Sequence, residues 1–246
     1  MIFDNHNIIG ADISKYQGYP PVFPVVDFQK MRDYGFDFVI IKAGQRSYED
    51  PAFVYNWKAA KGILPRSSYW YYDNRYSAIA QAKKYWDTIK HDLEGICWLD
   101  LEDRNIGDYT GWYFWYDFLA TFKLLSGLPN ERIGIYTAFY YWLDGMAKAN
   151  LSQREYFKKY PLWLANYGNK YSNPLHPEFE NIVVPRPWDD ADCLILQTGT
   201  PIIGIESGVA SYEIDYNFFN GDRDKFNSIF KSVASIADVN IFIRSA

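Results

Sequence analysis

Short apolar segments alternate with amphipathic segments along most of this chain, and this alternation restricts its fold more than any other feature. Five apolar segments are each followed by a helix-like pattern, and three more follow with little helical sequence between them. Such alternation favours a parallel sheet, and about eight strands in sequence favour closure into a barrel. We therefore predict an α/β fold, a single TIM-like barrel of five βα units followed by three strands, (β/α)5(β)3. The predicted strands are residues 8–14, 37–43, 67–73, 96–102, 132–137, 162–167, 194–198 and 213–218.

Helical patterns fill the first five connections and the C-terminal region. A barrel of this type typically needs about 250 residues, which suits the chain length of 246. We expect residues 1–221 to form a catalytic barrel and residues 222–246 to form a helix and tail that pack on it or extend from it. The predicted helices are residues 26–34, 51–61, 77–91, 111–125, 139–148 and 222–237, with Ser77 as an N-cap and Gly35 as a stop signal.

Charge and hydropathy exclude several classes of partner. The formal net charge is −5 and no basic patch is present, so neither nucleic acid nor an anionic membrane surface is expected as a partner. No apolar segment approaches the ~18 residues that a membrane span needs. Cys97 and Cys193 lie in apolar strand segments without CxxC spacing, which predicts two free, buried thiols. We expect a monomer.

Four acidic residues lie late in predicted strands. They are Asp12 in the first strand, Asp100 and Glu102 in the fourth, and Asp215 in the last. Acidic residues are disfavoured in strands and are rarely buried without a reason, and functional residues of such barrels lie at the C-terminal ends of the strands. In a closed barrel the first and last strands are neighbours, so Asp12 and Asp215 are expected to meet opposite the other pair.

The spacing of Asp100 and Glu102 indicates acid catalysis. Residues at i and i+2 of a strand project from the same face, with Cα atoms about 6.6 Å apart. Two carboxyl groups this close repel each other when both are ionised, which raises the pKa of one of them. A carboxylic acid that stays protonated near neutral pH is a general acid. Leu99 and Leu101 then face the opposite side, in the packing layer.

Two other interpretations of these acids stay open. They cap loops or pair with Lys42 and Arg104, or they hold a divalent cation such as Mg²⁺ or Ca²⁺, which prefers carboxylate oxygens. A zinc site is disfavoured, because the histidines lie outside the predicted strand ends. We predict no metal and no cofactor.

Aromatic residues make up 20% of the chain, and several fall beside the acids. Tyr69 and Tyr71 share one face of the third predicted strand, Tyr136 lies near the end of the fifth, and Trp163 lies near the start of the sixth. An aromatic ring offers a flat apolar face and a polar edge, which suits the C–H patches and hydroxyls of sugars. We predict a curved aromatic wall for a glycan; the alternative is that these rings fill the barrel core.

At these residues the sequence resembles glycoside hydrolase family 25, the Chalaropsis-type lysozymes, from about Gly10 to Gly221. Each motif is short, but their order over some two hundred residues makes chance improbable. The matching segments are GADIS (10–14) with YQG (16–18), FVIIKA (38–43), WLDLE (98–102), GIYT (134–137), LWLANY (162–167) and IDYN (214–217). The sequence departs from the family pattern at YWY (69–71), AGQR (43–46) and LQT (196–198).

The resemblance implies the same barrel and hydrolysis of the β-1,4 bond between N-acetylmuramic acid and N-acetylglucosamine. Glu102 is then the general acid, and Asp100 stabilises the substrate's own 2-acetamido group as it attacks the anomeric carbon, a known departure from the two-carboxylate scheme. Asp12 and Asp215 position the sugar and tune the pKa values. The substrate-binding residues are then Tyr16, Lys42, Tyr69, Tyr71, Tyr136, Trp163 and Gln197.

The leading prediction is therefore an enzyme that cuts bacterial peptidoglycan, and two alternatives stay open. One is a wall-binding module of the same fold without turnover, although a pure binder has no need of two crowded acids. The other is a chitinase-like hydrolase, since those enzymes also place a DxE pair at a strand end. The N-terminal residues lack the basic and apolar regions of a signal peptide, so we expect a virus-encoded lysin, a virion component or a module of a longer protein.

Overall fold

The computed structural model describes residues 7–19, 25–102, 111–167, 182–199 and 204–230. The strands in these ranges are β1 (Ile9–Ile13), β2 (Phe38–Gln45), β3 (Tyr48–Glu49), β4 (Arg66–Tyr71), β5 (Cys97–Asp100), β6 (Ile133–Ala138), β7 (Leu162–Ala165), β8 (Cys193–Thr198) and β9 (Tyr216–Phe219). The helices are α1 (Phe28–Tyr34), α2 (Phe53–Ala60), α3 (Ala78–Ile89), α4 (Gly111–Ser126), α5 (Phe139–Gly145), α6 (Leu151–Glu155), α7 (Gly204–Ser207) and α8 (Arg223–Phe230).

Eight of these strands form one closed barrel. The order around the barrel is β1, β2, β4, β5, β6, β7, β8 and β9, and β9 pairs again with β1. Neighbours from β1 to β8 run parallel. The short β3, which was not predicted, forms an antiparallel hairpin with the end of β2. The predicted α/β barrel is therefore confirmed, with one additional strand outside it.

The last strand departs from the parallel arrangement that the sequence favours. β9 runs antiparallel to both β8 and β1. A parallel connection needs a crossover of a dozen or more residues, usually a helix, whereas the described part of the β8–β9 connection holds only the four-residue α7. The N-terminal end of β9 consequently lies at the same rim of the barrel as the C-terminal ends of the other strands.

Local signals set the ends of several helices. The side chain of Asp27 accepts a hydrogen bond from the backbone N–H of Lys30 at the start of α1, and Ser77 accepts one from Ala80 at the start of α3. Gly35 ends α1 with a φ of 124°, a conformation that glycine adopts without a steric penalty. The predicted N-cap at Ser77 and the predicted stop at Gly35 are both confirmed.

Strand alternation divides the core into two layers. Outward residues such as Leu99 and Leu101 belong to the cluster between barrel and helices, as predicted, while Trp98 and Trp163 belong to the cluster inside the barrel. Trp98 is completely buried. A Cβ on Gly134, its register partner in β6, would lie 2.2 Å from the Trp98 ring. Glycine on β6 therefore gives Trp98 the room to fill the interior.

The first part of the predicted C-terminal segment packs on the amino end of the barrel. Phe226 and Phe230 of α8 are buried, and their ring centroids lie 5.7 Å and 5.2 Å from that of Phe38 at the start of β2. The rest of the predicted segment, residues 231–246, lies outside the described residues. The division of the chain at residue 221 stays a prediction.

Both cysteines are free and buried, as predicted. Among the helices of the described ranges, none combines the length and the apolar character that crossing a membrane requires.

Candidate active site

A cavity of about 320 Å³ opens at the carboxyl rim of the barrel. All four predicted acidic residues and all seven predicted substrate-binding residues line it. Ser14 and Tyr167 line it as well and were not predicted. The lining residues are Asp12, Ser14, Tyr16, Lys42, Tyr69, Tyr71, Asp100, Glu102, Tyr136, Trp163, Tyr167, Gln197 and Asp215.

Asp100 and Glu102 enter this cavity from the end of β5. Asp100 is the last residue of the strand and is 4% exposed, and Glu102 follows two residues later and is partly buried. In the sheet register Asp100 pairs with Tyr71 on one side and with Tyr136 on the other. Both carboxyl groups therefore lie on one wall of the cavity, between two tyrosines. Arg104, the alternative ion-pair partner, lies outside the described residues.

Asp12 occupies the opposite wall and is held by two carboxamide groups. Gln197 Nε2 donates to Asp12 Oδ2 over 2.6 Å, and Asn217 Nδ2 donates to the same oxygen over 2.9 Å. Both amides are buried, at 2% and 0% exposure. We call Gln197 and Asn217 the amide clamp. It fixes one oxygen of Asp12 against the barrel.

Further hydrogen bonds fix the orientation of both amides. The hydroxyls of Tyr136 and Tyr167 donate to Gln197 Oε1 over 2.7 Å and 2.5 Å, and Trp163 Nε1 donates to Asn217 Oδ1 over 2.8 Å. A carboxamide has one acceptor end and one donor end. Because each oxygen already accepts from a ring, each N–H₂ group must point at Asp12.

Asn217 is a site residue that the sequence reading missed. It lies inside the barrel on β9, two residues after Asp215. The signal was available, since a buried polar side chain in a strand requires a hydrogen-bond partner and Asn217 shares the parity of a candidate acid. Asp215 itself lies directly before β9 rather than within a strand, and the antiparallel direction of β9 brings it to the rim.

Burial and mutual repulsion perturb the second pair of acids. Burial raises the pKa of Asp12 to about 6, a rise that the hydrogen bonds from Asn217 and Gln197 oppose and the charge of Glu102 increases. Burial and the neighbouring charge of Asp12 raise the pKa of Asp215 to about 7. Below about pH 7, Asp215 therefore tends to keep its proton beside the carboxyl group of Asp12, because two like charges in one cavity repel each other.

Lys42 brings a positive charge into the same cavity. Its Nζ donates to Gln45 Oε1 over 2.7 Å and lies 5.1 Å from the centroid of the Tyr71 ring. Burial lowers the pKa of Lys42, while the carboxylates of Asp100 and Asp50 oppose this shift. Within the described ranges, no group of three or more His, Cys, Asp or Glu side chains is arranged to hold a metal ion.

Four of the aromatic residues form a floor and a mouth of the cavity, and Tyr69 and Tyr71 line it as well. Tyr136 and Trp163 are 7% and 1% exposed, and their ring centroids lie 4.3 Å apart. They form the floor, because their polar atoms serve the amide clamp. Tyr16 and Tyr167 are 61% and 53% exposed and stand at the mouth, where a ring face is available to a ligand.

The raised pKa of Asp215 predicts the direction in which pH changes stability. The folded protein keeps a proton on Asp215 up to about pH 7, whereas the unfolded chain loses it near pH 4. The stabilising contribution is therefore present below about pH 4 and is lost as pH rises through about 7. Asp215→Asn keeps a neutral side chain at every pH. Its Tm relative to wild type should rise between pH 4 and pH 8 by at least about 2 °C, the effect of roughly 1 kcal/mol in a chain of this size.

Thermal unfolding of both proteins from pH 4 to pH 8 tests this expectation. Asp33→Asn, at an exposed acid on α1, is the matched control and should show a Tm difference that does not depend on pH. A Tm difference for Asp215→Asn that stays constant or falls with pH would contradict the assignment.

Comparison with known proteins agrees with this geometry. No curated protein sequence matches the chain significantly. The fold is shared with a muramidase from Trichobolus zukalii (24% identity, TM-score 0.66, covering 91% of this chain and 99% of that one) and a bacterial lysozyme from Streptomyces coelicolor (23%, 0.68, 92% and 98%). It is also shared with a family GH25 lysozyme from Aspergillus fumigatus (22%, 0.68, 92% and 99%). The model of glycosyl hydrolases family 25 matches residues 11–184, so this chain belongs to that family and is a glycoside hydrolase.

Proposed function

We propose that this enzyme is a muramidase, which hydrolyses the β-1,4 bond between N-acetylmuramic acid and N-acetylglucosamine in bacterial peptidoglycan. The observation that carries the proposal is the arrangement of acids in one cavity, with Asp100 and Glu102 on one wall and Asp12 and Asp215 on the other. Membership of family 25 supports it. The enzyme acts on the cell wall as a monomer and uses no metal or cofactor.

Glu102 is the general acid of the proposed reaction. It lies two residues beyond Asp100, past the end of β5, and it is only partly buried. A carboxyl group in that position can reach the glycosidic oxygen of a bound glycan and donate its proton as the bond to the leaving sugar breaks. After the leaving sugar departs, the same group, now a carboxylate, accepts a proton from water.

Asp100 supports the substrate's own acetamido group. Both carboxyl groups project from one strand end, so they approach the sugar from the same side, whereas a protein nucleophile would attack from the opposite face. The acetamido oxygen attacks the anomeric carbon instead, and the amide nitrogen becomes positively charged. The buried carboxylate of Asp100 stabilises that charge. Water then opens the cyclic intermediate, and the configuration at the anomeric carbon is retained.

Asp12, Asp215 and the amide clamp position the sugar. The clamp holds Asp12 in one rotamer, and a group fixed by packing and hydrogen bonds loses little entropy when the ligand binds. The proton that Asp215 keeps below about pH 7 lets this wall donate a hydrogen bond as well as accept one. Tyr16 and Tyr167 at the mouth, with Tyr69 and Tyr71 at the sides, provide ring faces and hydroxyls for the glycan, and Lys42 donates to its oxygens.

Replacement of Glu102 by glutamine should remove most of the activity and leave the fold intact. Glutamine has the size of glutamate but cannot donate the proton to the leaving oxygen, and general acid catalysis contributes about 10²–10⁴-fold. Release of reducing sugar from purified peptidoglycan measures the rate, and thermal unfolding measures the fold. Glu155→Gln, at an exposed residue of α6, is the matched control and should keep full activity.

A folded Glu102→Gln variant that retains more than about a tenth of the wild-type rate would contradict the role of Glu102. Wild-type protein that binds peptidoglycan and releases no reducing sugar would favour a wall-binding module. Faster release from chitin than from peptidoglycan would favour a chitinase-like hydrolase.

The anomeric configuration of the first product tests the role of Asp100. Attack by the acetamido group followed by attack of water inverts the anomeric carbon twice, so proton NMR should show the β-anomer first. Asp100→Asn should slow this reaction by at least about tenfold, because a neutral amide cannot balance the charge on the intermediate. An α-anomer as the first product would imply a water activated by a second acid and would contradict substrate-assisted catalysis.

A further inference from the structure

Two arginine side chains converge on one buried carboxylate beside the active-site cavity. Arg46 Nε lies 2.5 Å from Asp73 Oδ2, and Arg75 binds both oxygens of Asp73, through Nη2 over 2.6 Å and Nε over 2.9 Å. The side chain of Asp73 is 1% exposed, whereas those of Arg46 and Arg75 are 32% and 64% exposed. The carboxylate is thus an internal anchor, and the two guanidinium groups extend from it toward solvent.

The sheet register places this cluster at the same rim as the cavity. Gln45 at the end of β2 pairs with Tyr71 at the end of β4. Arg46 directly follows Gln45, and Asp73 lies two residues beyond Tyr71, which lines the cavity. Gln45 also accepts the hydrogen bond from Lys42, another lining residue. A glycan in the cavity therefore has the arginine pair beside it.

The anchor is held firmly by the neighbouring helix. The backbone N–H of Asp73 donates to Gln81 Oε1 over 3.0 Å, and Gln81 Nε2 donates to the backbone oxygen of Asp73 over 2.8 Å. The hydrogen bonds from Arg75 and Arg46 hold the pKa of Asp73 well below its usual range. The carboxylate therefore stays ionised at neutral and mildly acidic pH, where it holds both guanidinium groups in place.

Arg46 lies in the tight turn between β2 and β3. Its φ is 57°, in the left-handed region that costs a residue with a Cβ roughly 1–2 kcal/mol. The tight turn itself accounts for this conformation, since two-residue hairpin turns place residues at positive φ. Glycine would avoid the penalty, so it is the substitution that removes the side chain with the least disturbance of the backbone.

Charge indicates what the arginine pair binds. Two guanidinium groups and one carboxylate carry a net charge of +1, although the chain as a whole carries −5 and the adjacent cavity holds four acids. An anionic ligand is repelled by most of this surface and attracted here. Guanidinium groups bind carboxylates with paired, charge-assisted hydrogen bonds.

We propose that Arg46 and Arg75 bind a carboxylate of the peptide stem that muramic acid carries in peptidoglycan. This site rests on the proposed function, since it assumes that the glycan in the cavity is the wall polymer. It gives the enzyme a preference for glycan strands that still carry their peptides. Neither arginine contacts the reacting atoms, so the pair determines specificity and not the chemical step.

Binding to two forms of one polymer tests the site. Peptidoglycan freed of teichoic acid is used in two forms, intact or stripped. In the stripped form an amidase has removed the peptide stems, and the lactyl carboxylates that this exposes have been converted to methyl amides. The affinity for each form is measured by co-sedimentation. All proteins carry Glu102→Gln so that the polymer stays uncut. Adding Arg46→Gly, which relieves the strained backbone, should weaken binding to the intact polymer about fivefold, a factor typical of one exposed ion pair, and leave binding to stripped glycan unchanged. Lys83→Ala, which removes an exposed charge from α3, should change neither.

Three outcomes would overturn the proposal. If Arg46→Gly and Arg75→Ala weaken binding to both polymers equally, the cluster only stabilises the structure of the rim. No change on either polymer would show that it binds nothing. If the substitutions weaken binding only to peptidoglycan that retains its teichoic acid, the site binds the phosphate groups of that polymer instead. Hydrolysis by the protein without Glu102→Gln is measured separately, and its absence contradicts the proposed function while the binding comparison still decides the arginine site.

Discussion

Closure of the barrel by an antiparallel last strand is the constraint from which the active site follows. β9 inserts between β8 and β1, which brings its N-terminal end to the rim where the parallel strands end. Asp215 therefore arrives beside Asp12, and Asn217 turns inward to hold it. With a parallel last strand, Asp215 would lie toward the opposite rim, and the wall opposite Asp100 and Glu102 would lose that carboxyl group.

Asp12 and Asp215 are similar acids in one cavity, but their surroundings differ. One oxygen of Asp12 accepts hydrogen bonds from two amide N–H groups, which oppose the rise of its pKa. Burial and repulsion from Asp12 raise the pKa of Asp215, which is therefore the higher of the two. Floor residues make this possible, since Tyr136 and Trp163 hold the two amides in the required orientation. The floor residues therefore fill the interior of the barrel and also orient the amides that bind Asp12.

Much of the barrel could be predicted because a strand of period two and a helix of period 3.6 leave different patterns. The DxE pair could be placed on one face from spacing alone, and the flanking tyrosines from strand order. The direction of β9 could not, because a short apolar strand reads the same in either direction. The contact between Arg46 and Asp73 could not be predicted either, because it joins residues 27 positions apart in sequence. Asn217 could have been found, since it is a polar residue two positions after Asp215 in an apolar strand.

Mass spectrometry of the muropeptides released from purified peptidoglycan tests the central claim most directly, since it identifies the bond that is cut. If Glu102 and Asp100 act on the bond proposed for this cavity, every new reducing end is N-acetylmuramic acid, and these products disappear with the Glu102→Gln protein. New reducing ends that consist of N-acetylglucosamine, or cleavage confined to the peptides, would contradict the assignment of this enzyme as a muramidase.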